Sequence, residues 1–134
     1  MANFSVEKYK RGLARIPPAV KRQSFLALIK GADRMLGAMR LFVPKEDRAL
    51  EKSIRAEQDP SLLRITLKAG GPSTTRPVRR GVKTTYDYAL AQEFGTANHQ
   101  AQPYFWPGYR LFRKQTRAAV NRAMKKAIRE HFGK

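Results

Sequence analysis

Apolar residues recur at helical spacing in two long stretches and alternate in one short one. From Pro18 to about Val43, the residues Phe25, Leu28, Ile29, Ala32, Met35, Leu36, Met39 and Val43 fall within one stripe at about 100° per residue. Lys30 and Arg34 lie opposite that stripe, with Arg22 and Arg40 at its flank. From Pro107 to about His131, the residues Tyr109, Phe112, Thr116, Ala119, Val120, Ala123 and Ala127 share one face. That second stripe is rich in small side chains, so another helix or a sheet can approach it closely. Arg110, Arg113, Lys114, Arg117, Arg122, Lys125, Lys126 and Arg129 cover most of the remaining surface. Between the two helices, residues 62–68 alternate, with Leu63, Ile65 and Leu67 on one side, which is the period of a half-buried strand.

Breakers divide the chain further. Residues 5–15 read as a short helix capped by Ser5, which Ile16-Pro17-Pro18 interrupts. Pro18 suits the first turn of the long helix, where its missing N–H costs nothing, and Pro44 ends that helix. Asp47 is a candidate cap for a helical turn through Leu50, and Ser53–Glu57 is a short strand candidate. Residues 70–80, GGPSTTRPVRR, hold two Gly, two Pro and three Arg without an apolar period, and 70–81 is expected to be a flexible basic loop. Val82–Tyr86 is a further strand candidate. Tyr88–Phe94 reads as a short helix ended by Gly95 in a left-handed cap position, and 95–103 as loop.

The order of helices, strands, then a helix predicts an α+β fold. The expectation is an antiparallel sheet of three to four strands packed by a long N-terminal helix and a long C-terminal helix. A length of 134 residues suits a single domain, with residues 1–17 as an N-terminal extension.

Charge changes the picture more than composition does. The chain has 28 Lys and Arg against 10 Asp and Glu, a formal charge of +18, and no cysteine. Such a charge attracts polyanions and repels copies of itself. It is unevenly spread: residues 61–85 carry six cations and no acid, and residues 101–134 carry nine against one. Residues 41–60 are balanced, and residues 86–100 hold Asp87 and Glu93 with no Lys or Arg. The missing cysteine rules out disulfides and thiolate chemistry. No run of about 18 apolar residues suggests a membrane span, so no membrane partner is expected.

Catalytic chemistry has little to build on. His99 sits in a loop and His131 near the end of the last helix, neither at metal-ligand spacing with a second His, Asp or Glu. Gly70-Gly71-Pro72-Ser73 lacks the Gly-Lys-Ser/Thr ending of a phosphate loop, so a hairpin connection is the better reading. The expectation is a non-enzymatic protein without catalytic residues, metal or cofactor. The consecutive aromatics Tyr104, Phe105 and Trp106, framed by Pro103 and Pro107, read as an anchor packed against protein.

Two stretches resemble a known family. Tyr88-Ala89-Leu90-Ala91-Gln92-Glu93-Phe94-Gly95-Thr96 followed by Gln102-Pro103-Tyr104-Phe105-Trp106-Pro107 is similar to the "Y-A-x-x-x-E-F-G-T … Q-P-F-x-x-P" signature of small neck or tail-completion proteins of long-tailed phages, also called head–tail joining proteins. Pro44 to Ile54 resembles that family's "P-x-x-T-G-x-L-x-x-S-I" segment, with Asp47 and Arg48 in place of the usual Thr-Gly. The resemblance implies a structural virion protein at the head–tail interface, made in the host cytoplasm. It implies a six-fold or twelve-fold homo-oligomeric ring between the head-side connector and the tail terminator or tail-tube proteins, with DNA passing through. The subunit-interface candidates are Glu93, Phe94, Gly95, Thr96, Gln102, Pro103, Phe105 and Pro107. For Glu93 two readings stand together: pairing with a neighbouring subunit, or a fold-internal hydrogen bond to the following loop. Phe94 and Phe105 are expected to be core aromatics. Arg76, Arg79, Arg80, Arg113, Lys114, Arg117, Lys125 and Arg129 are candidates for a basic contact surface, toward acidic neck proteins or DNA. The alternative function is that of a free-standing basic nucleic-acid-binding protein.

Overall fold

The structure, a computed structural model, describes residues 5–44, 48–77, 80–81, 83 and 85–133. It is mixed helix and strand. The first helix, α1 (Val6–Ala14), starts where the Ser5 hydroxyl accepts the Lys8 N–H at 3.3 Å. Pro17 and Pro18 break the chain and lead into α2 (Pro18–Phe42), which ends at Val43 ahead of Pro44. A short helix, α3 (Arg48–Ser53), precedes the hairpin β1 (Arg55–Asp59) and β2 (Arg64–Lys68). Asp47, the expected cap of α3, lies outside the described residues.

A second hairpin follows, β3 (Thr75–Pro77) with β4 (Thr85–Asp87), then α4 (Tyr88–Phe94) and the final helix α5 (Phe105–His131). The four strands do not join into the expected single sheet. They form two separate antiparallel pairs, in the registers Ala56↔Leu67 and Arg76↔Tyr86. Between β2 and β3 the chain turns through Gly70 and Gly71, both at positive φ, and then a 3-10 turn, so β3 does not continue along the edge of β2 and pairs with β4. The long N-terminal helix expected from the pattern is the second helix, preceded by α1. Leu13 of α1 is buried, and its Tyr9 hydroxyl donates to the Leu62 carbonyl at 2.7 Å, holding the tip of the first hairpin.

The segment expected to be a flexible basic loop is folded around an acid. Residues Pro72–Thr74 form a 3-10 turn, and Thr75–Pro77 pair as a strand. Asp87 organises them: its carboxylate accepts the Gly71 N–H at 3.0 Å and the Thr74 hydroxyl at 2.5 Å. The same carboxylate caps α4 through the Ala89 N–H at 2.9 Å. An anion therefore does occupy the Gly-Gly turn, but the chain supplies it. Val82, the expected start of the next strand, is outside the described residues, and pairing is seen from Thr85.

The two long helices form the largest interface of the molecule. They run antiparallel, because Gly31 meets Thr116 while Met39 meets Gly108. Both crossings depend on a missing side chain. A Cβ on Gly108 would lie 2.9 Å from the Met39 backbone nitrogen, and one on Gly31 would strike the Thr116 side chain. The main core sits at one end of the pair. Met35, Leu36, Met39 and Val43 of α2 gather there with Leu50, Ile54, Ala89 and Tyr104. The other halves of α2 and α5 bury Val20, Phe25, Thr116 and Ala127.

Gly108→Ala is expected to lower stability by about 1–3 kcal/mol, since the backbone of α2 cannot move aside as a flexible side chain would. Gly37→Ala, where nothing lies within 4 Å of the new methyl, should instead raise stability by about 0.5–1 kcal/mol through helix propensity. Urea unfolding midpoints of the two variants check the contrast.

Candidate functional site

The segment from Asp87 to Pro107 folds back on itself around one carboxylate. Helix α4 ends at Gly95, whose φ of 78° is open to glycine and costly for other residues. A side chain there would also collide with the returning chain, 2.9 Å from the Ala101 nitrogen. Thr96 and His99 bridge across the turn, with the Thr96 N–H donating to the His99 carbonyl at 2.9 Å. The Gln102 N–H then donates to the Gln92 carbonyl at 2.9 Å, and the two glutamine side chains meet at 3.0 Å. This brings residues 104–106 directly over α4.

Glu93 is the result of that return. Its Oε1 accepts the Tyr104 and Phe105 N–H groups at 2.8 Å each, and its Oε2 accepts the Trp106 N–H at 3.1 Å. These are N–H groups at the start of α5, which have no partner within their own helix. A negative charge on them also meets the positive end of the helix dipole. Glu93 is 6% exposed, so the fold-internal reading describes it. It is a correction to Glu93 as a surface contact: its three bonds lie inside the chain. The carboxylate also accounts for where α5 starts. Pro107 does not begin the helix. It stands in a first turn that Glu93 has already capped from Tyr104 onward, where a residue lacking an N–H is at no disadvantage.

Tyr104 closes the arrangement and was not singled out by its sequence neighbourhood, which reads as three equivalent aromatics. It is 1% exposed, and its hydroxyl donates to the Ala89 carbonyl at 3.2 Å. Burial first, and then the Glu93 and Asp87 carboxylates, hold its phenol protonated well above the ordinary value of 10.0.

The aromatics around the clamp divide differently from expectation. Phe105 is half-buried and packs against the core. Phe94 does not enter the core: it is 65% exposed. The physical reason is helical geometry, for in α4 the side facing the core is taken by Ala89 and Glu93, and Phe94 is turned about 100° beyond Glu93. Leu90, one turn before Phe94, is 63% exposed, and Trp106 is 44% exposed. These three line a cavity of about 510 Å3 together with Glu93 and Tyr104. Thr96, Gln102 and Pro103 are also at the surface, and Gly95 is half-buried beneath them.

The basic candidates do not form one patch. Arg76 is engaged locally, its guanidinium 5.4 Å from the centre of the Tyr88 ring and its NH1 donating to the Ser73 carbonyl at 3.3 Å. Arg80 is exposed in the turn between β3 and β4, and Arg79 lies outside the described residues. Arg113, Lys114, Arg117, Lys125 and Arg129 are all exposed on α5. His99 and His131 are exposed, the latter stacked edge-on with Phe132 at 4.9 Å. No helix of the described residues is long and apolar enough to cross a membrane.

Replacing Glu93 by Gln keeps its shape but removes its charge from the α5 terminus, and is expected to cost about 1–3 kcal/mol. Glu93→Ala should cost more, because three N–H groups then lose their acceptor; thermal and urea unfolding measure both. Tyr104 predicts a pH dependence. The unfolded chain releases this phenolic proton at a lower pH than the folded chain does, so the contribution is complete below about pH 10 and is lost as the pH rises beyond it. Urea midpoints above pH 10 should therefore fall more steeply for the wild type than for Tyr104→Phe.

No protein-family model, curated protein or solved structure matches this chain.

Proposed function

We propose that the protein is a structural, non-enzymatic subunit of the head–tail interface of a long-tailed phage, acting through surfaces that bind protein. The reading takes the protein to assemble as a homo-oligomeric ring, six-fold or twelve-fold, between the head-side connector and the tail. One observation carries it most directly. Leu90, Phe94 and Trp106 are exposed together on a segment whose backbone is pinned from within by the Glu93 carboxylate. Exposed aromatic and aliphatic anchors on a rigid support are the features of a protein-binding surface. The segment that carries the first two, residues 86–100, has no Lys or Arg. The segment itself adds no positive charge toward another basic subunit, and the cations beside it in the same cavity are Arg55 and Lys68. The motif that resembles the phage family and the segment that presents these anchors are the same.

Closed rings form by heterologous contacts, in which one patch meets a different patch on the next copy. The charge of +18 opposes such closure in isolation. On this reading acidic neighbours in the neck offset the repulsion, so assembly waits for them.

A second reading, polyanion binding along α5, is favoured by a different observation. The helix carries eight exposed cations, whereas the ion pairs resolved among the described residues, Arg64–Asp59 and Lys68–Glu57, both belong to the first hairpin. Nucleic-acid affinity from such a helix falls steeply with salt.

The double variant Leu90→Asp, Phe94→Asp is expected to change stability by no more than about 0.5 kcal/mol, because neither side chain is packed. It should nonetheless abolish the ability of the purified chain to join isolated heads to isolated tails, scored by electron microscopy. Joining at the wild-type level would remove this surface from the assembly role. If heads and tails join equally well without the chain, the assembly reading fails as a whole.

A further inference from the structure

A groove of about 580 Å3 runs between α2, β2 and α5, and meets the cavity beside Leu90 and Phe94 at Leu67, Phe105 and Trp106. Its lining is apolar, with Leu28 from α2, Ile65 and Leu67 from β2 and Val120 from α5 beside the rings of Phe105, Trp106 and Tyr109. The alternation of β2 turns Ile65 and Leu67 toward the helices, and Arg64, at the start of the strand, reaches the rim of the groove. Arg64, Arg113 and Arg117 stand along the groove, and no acidic side chain lines it. Arg113 and Arg117 are one helical turn apart on α5, so they project side by side. The Arg64 side chain is 64% exposed, with the Asp59 carboxylate 3.9 Å away, so most of its hydrogen-bonding capacity faces outward.

Three occupants can be weighed against this lining. A second copy brings +18 of its own charge toward three arginines, which opposes contact. A nucleic acid would set phosphates on the arginines, but of the three rings in the lining only Trp106 is exposed, Phe105 and Tyr109 being packed against the core, which leaves its bases a single stacking partner. A polypeptide with aliphatic side chains on one face and carboxylates on the other satisfies both parts. Its apolar face displaces water from the floor, and its carboxylates take up the planar, two-pronged geometry of arginine. The volume lies within the range of about 300–1,000 Å3 that encloses a compact ligand, which is room for a few aliphatic side chains.

We propose that this groove binds an acidic amphipathic segment of another protein, its aliphatic side chains between Leu28, Ile65 and Val120 and its carboxylates on Arg64, Arg113 and Arg117. The inference rests on the assembly reading for the source of that segment, a neighbouring protein of the head–tail interface, but the chemistry of the groove stands independently of it. It also supplies the negative charge that a ring of strongly basic subunits requires.

The probe is a short fluorescent helix-forming peptide with Leu and Ile on one face and Glu on the other, titrated with the full chain by anisotropy. The comparators are a scrambled peptide of the same composition, an oligoglutamate and a single-stranded DNA oligonucleotide. The patterned peptide is expected to bind most tightly. Arg113→Glu with Arg117→Glu should weaken it by about tenfold or more, as loss of charge-paired contacts does. Lys125→Glu with Arg129→Glu, the same change in net charge further along α5, should have a much smaller effect. Ile65→Asp should weaken binding while circular dichroism shows the fold retained. Equal affinity for the scrambled peptide or oligoglutamate, equal losses in the two double variants, or displacement of the peptide by DNA would each overturn the proposal in favour of diffuse polyanion attraction. Absence of peptide binding would overturn it outright, leaving the joining of heads and tails as the separate test of the assembly role. Peptide binding by a chain that proves unnecessary for joining would retain the groove and remove that role.

Discussion

The meeting of the Glu93 carboxylate with the first N–H groups of α5 is the contact on which the rest of the molecule is arranged. A helix of 27 residues has to begin somewhere, and its opening N–H groups need an acceptor. Here the acceptor comes from the helix before it, after a turn that requires glycine at position 95. The start of α5 is therefore fixed relative to α4. Once that start is fixed, Gly108 falls opposite Met39 and Thr116 opposite Gly31, two points where α2 and α5 leave no room for a Cβ on the glycine. A shift of one residue in the cap would place side chains where the helices now touch by backbone. Tyr104 secures the same junction from the apolar side, and Asp87 repeats the device one step earlier by holding the Gly71 turn and α4 together.

The use of these two acids has an electrostatic consequence. Asp87 and Glu93 are turned inward to satisfy backbone donors, so the region rich in neutral residues contributes little negative charge to the surface. The outside of the protein is thus more basic than the distribution of charges along the chain suggests, particularly along α5. Leu90 and Phe94 stand on the segment without cations, and the arginine-lined groove adjoins their surface at Trp106. Under the assembly proposal, these two surfaces would meet different neighbours.

Much of the local structure was legible from residue order. Ser5, Pro18, Pro44 and Gly95 mark element boundaries because their effects act within a few residues, through a hydroxyl cap, a missing N–H or a positive φ. The two long helices and β2 were legible because a sustained apolar period reports which face of an element will be buried, whatever buries it. The fold of residues 70–77 was not legible because Gly71 and Thr74 lie 16 and 13 positions from the Asp87 carboxylate that holds them. A stretch of Gly, Pro and Arg looks unstructured until the distant carboxylate that organises it is in place.

By itself the sequence determined the kinds of element and their order, the basic excess, and the small-residue faces that let helices pack closely. Those properties follow from backbone sterics, spacing and charge, which each residue carries with it. Tertiary structure alone decided that the strands form two hairpins rather than one sheet, that Glu93 serves the chain's own helix, and that Tyr104 is buried while Phe94 is exposed. It also decided that three arginines from two elements share one apolar groove. The physical reason is competition for space and partners: a carboxylate, an aromatic ring or a strand edge accepts whichever neighbour the packed chain brings to it first, and that neighbour is remote in sequence.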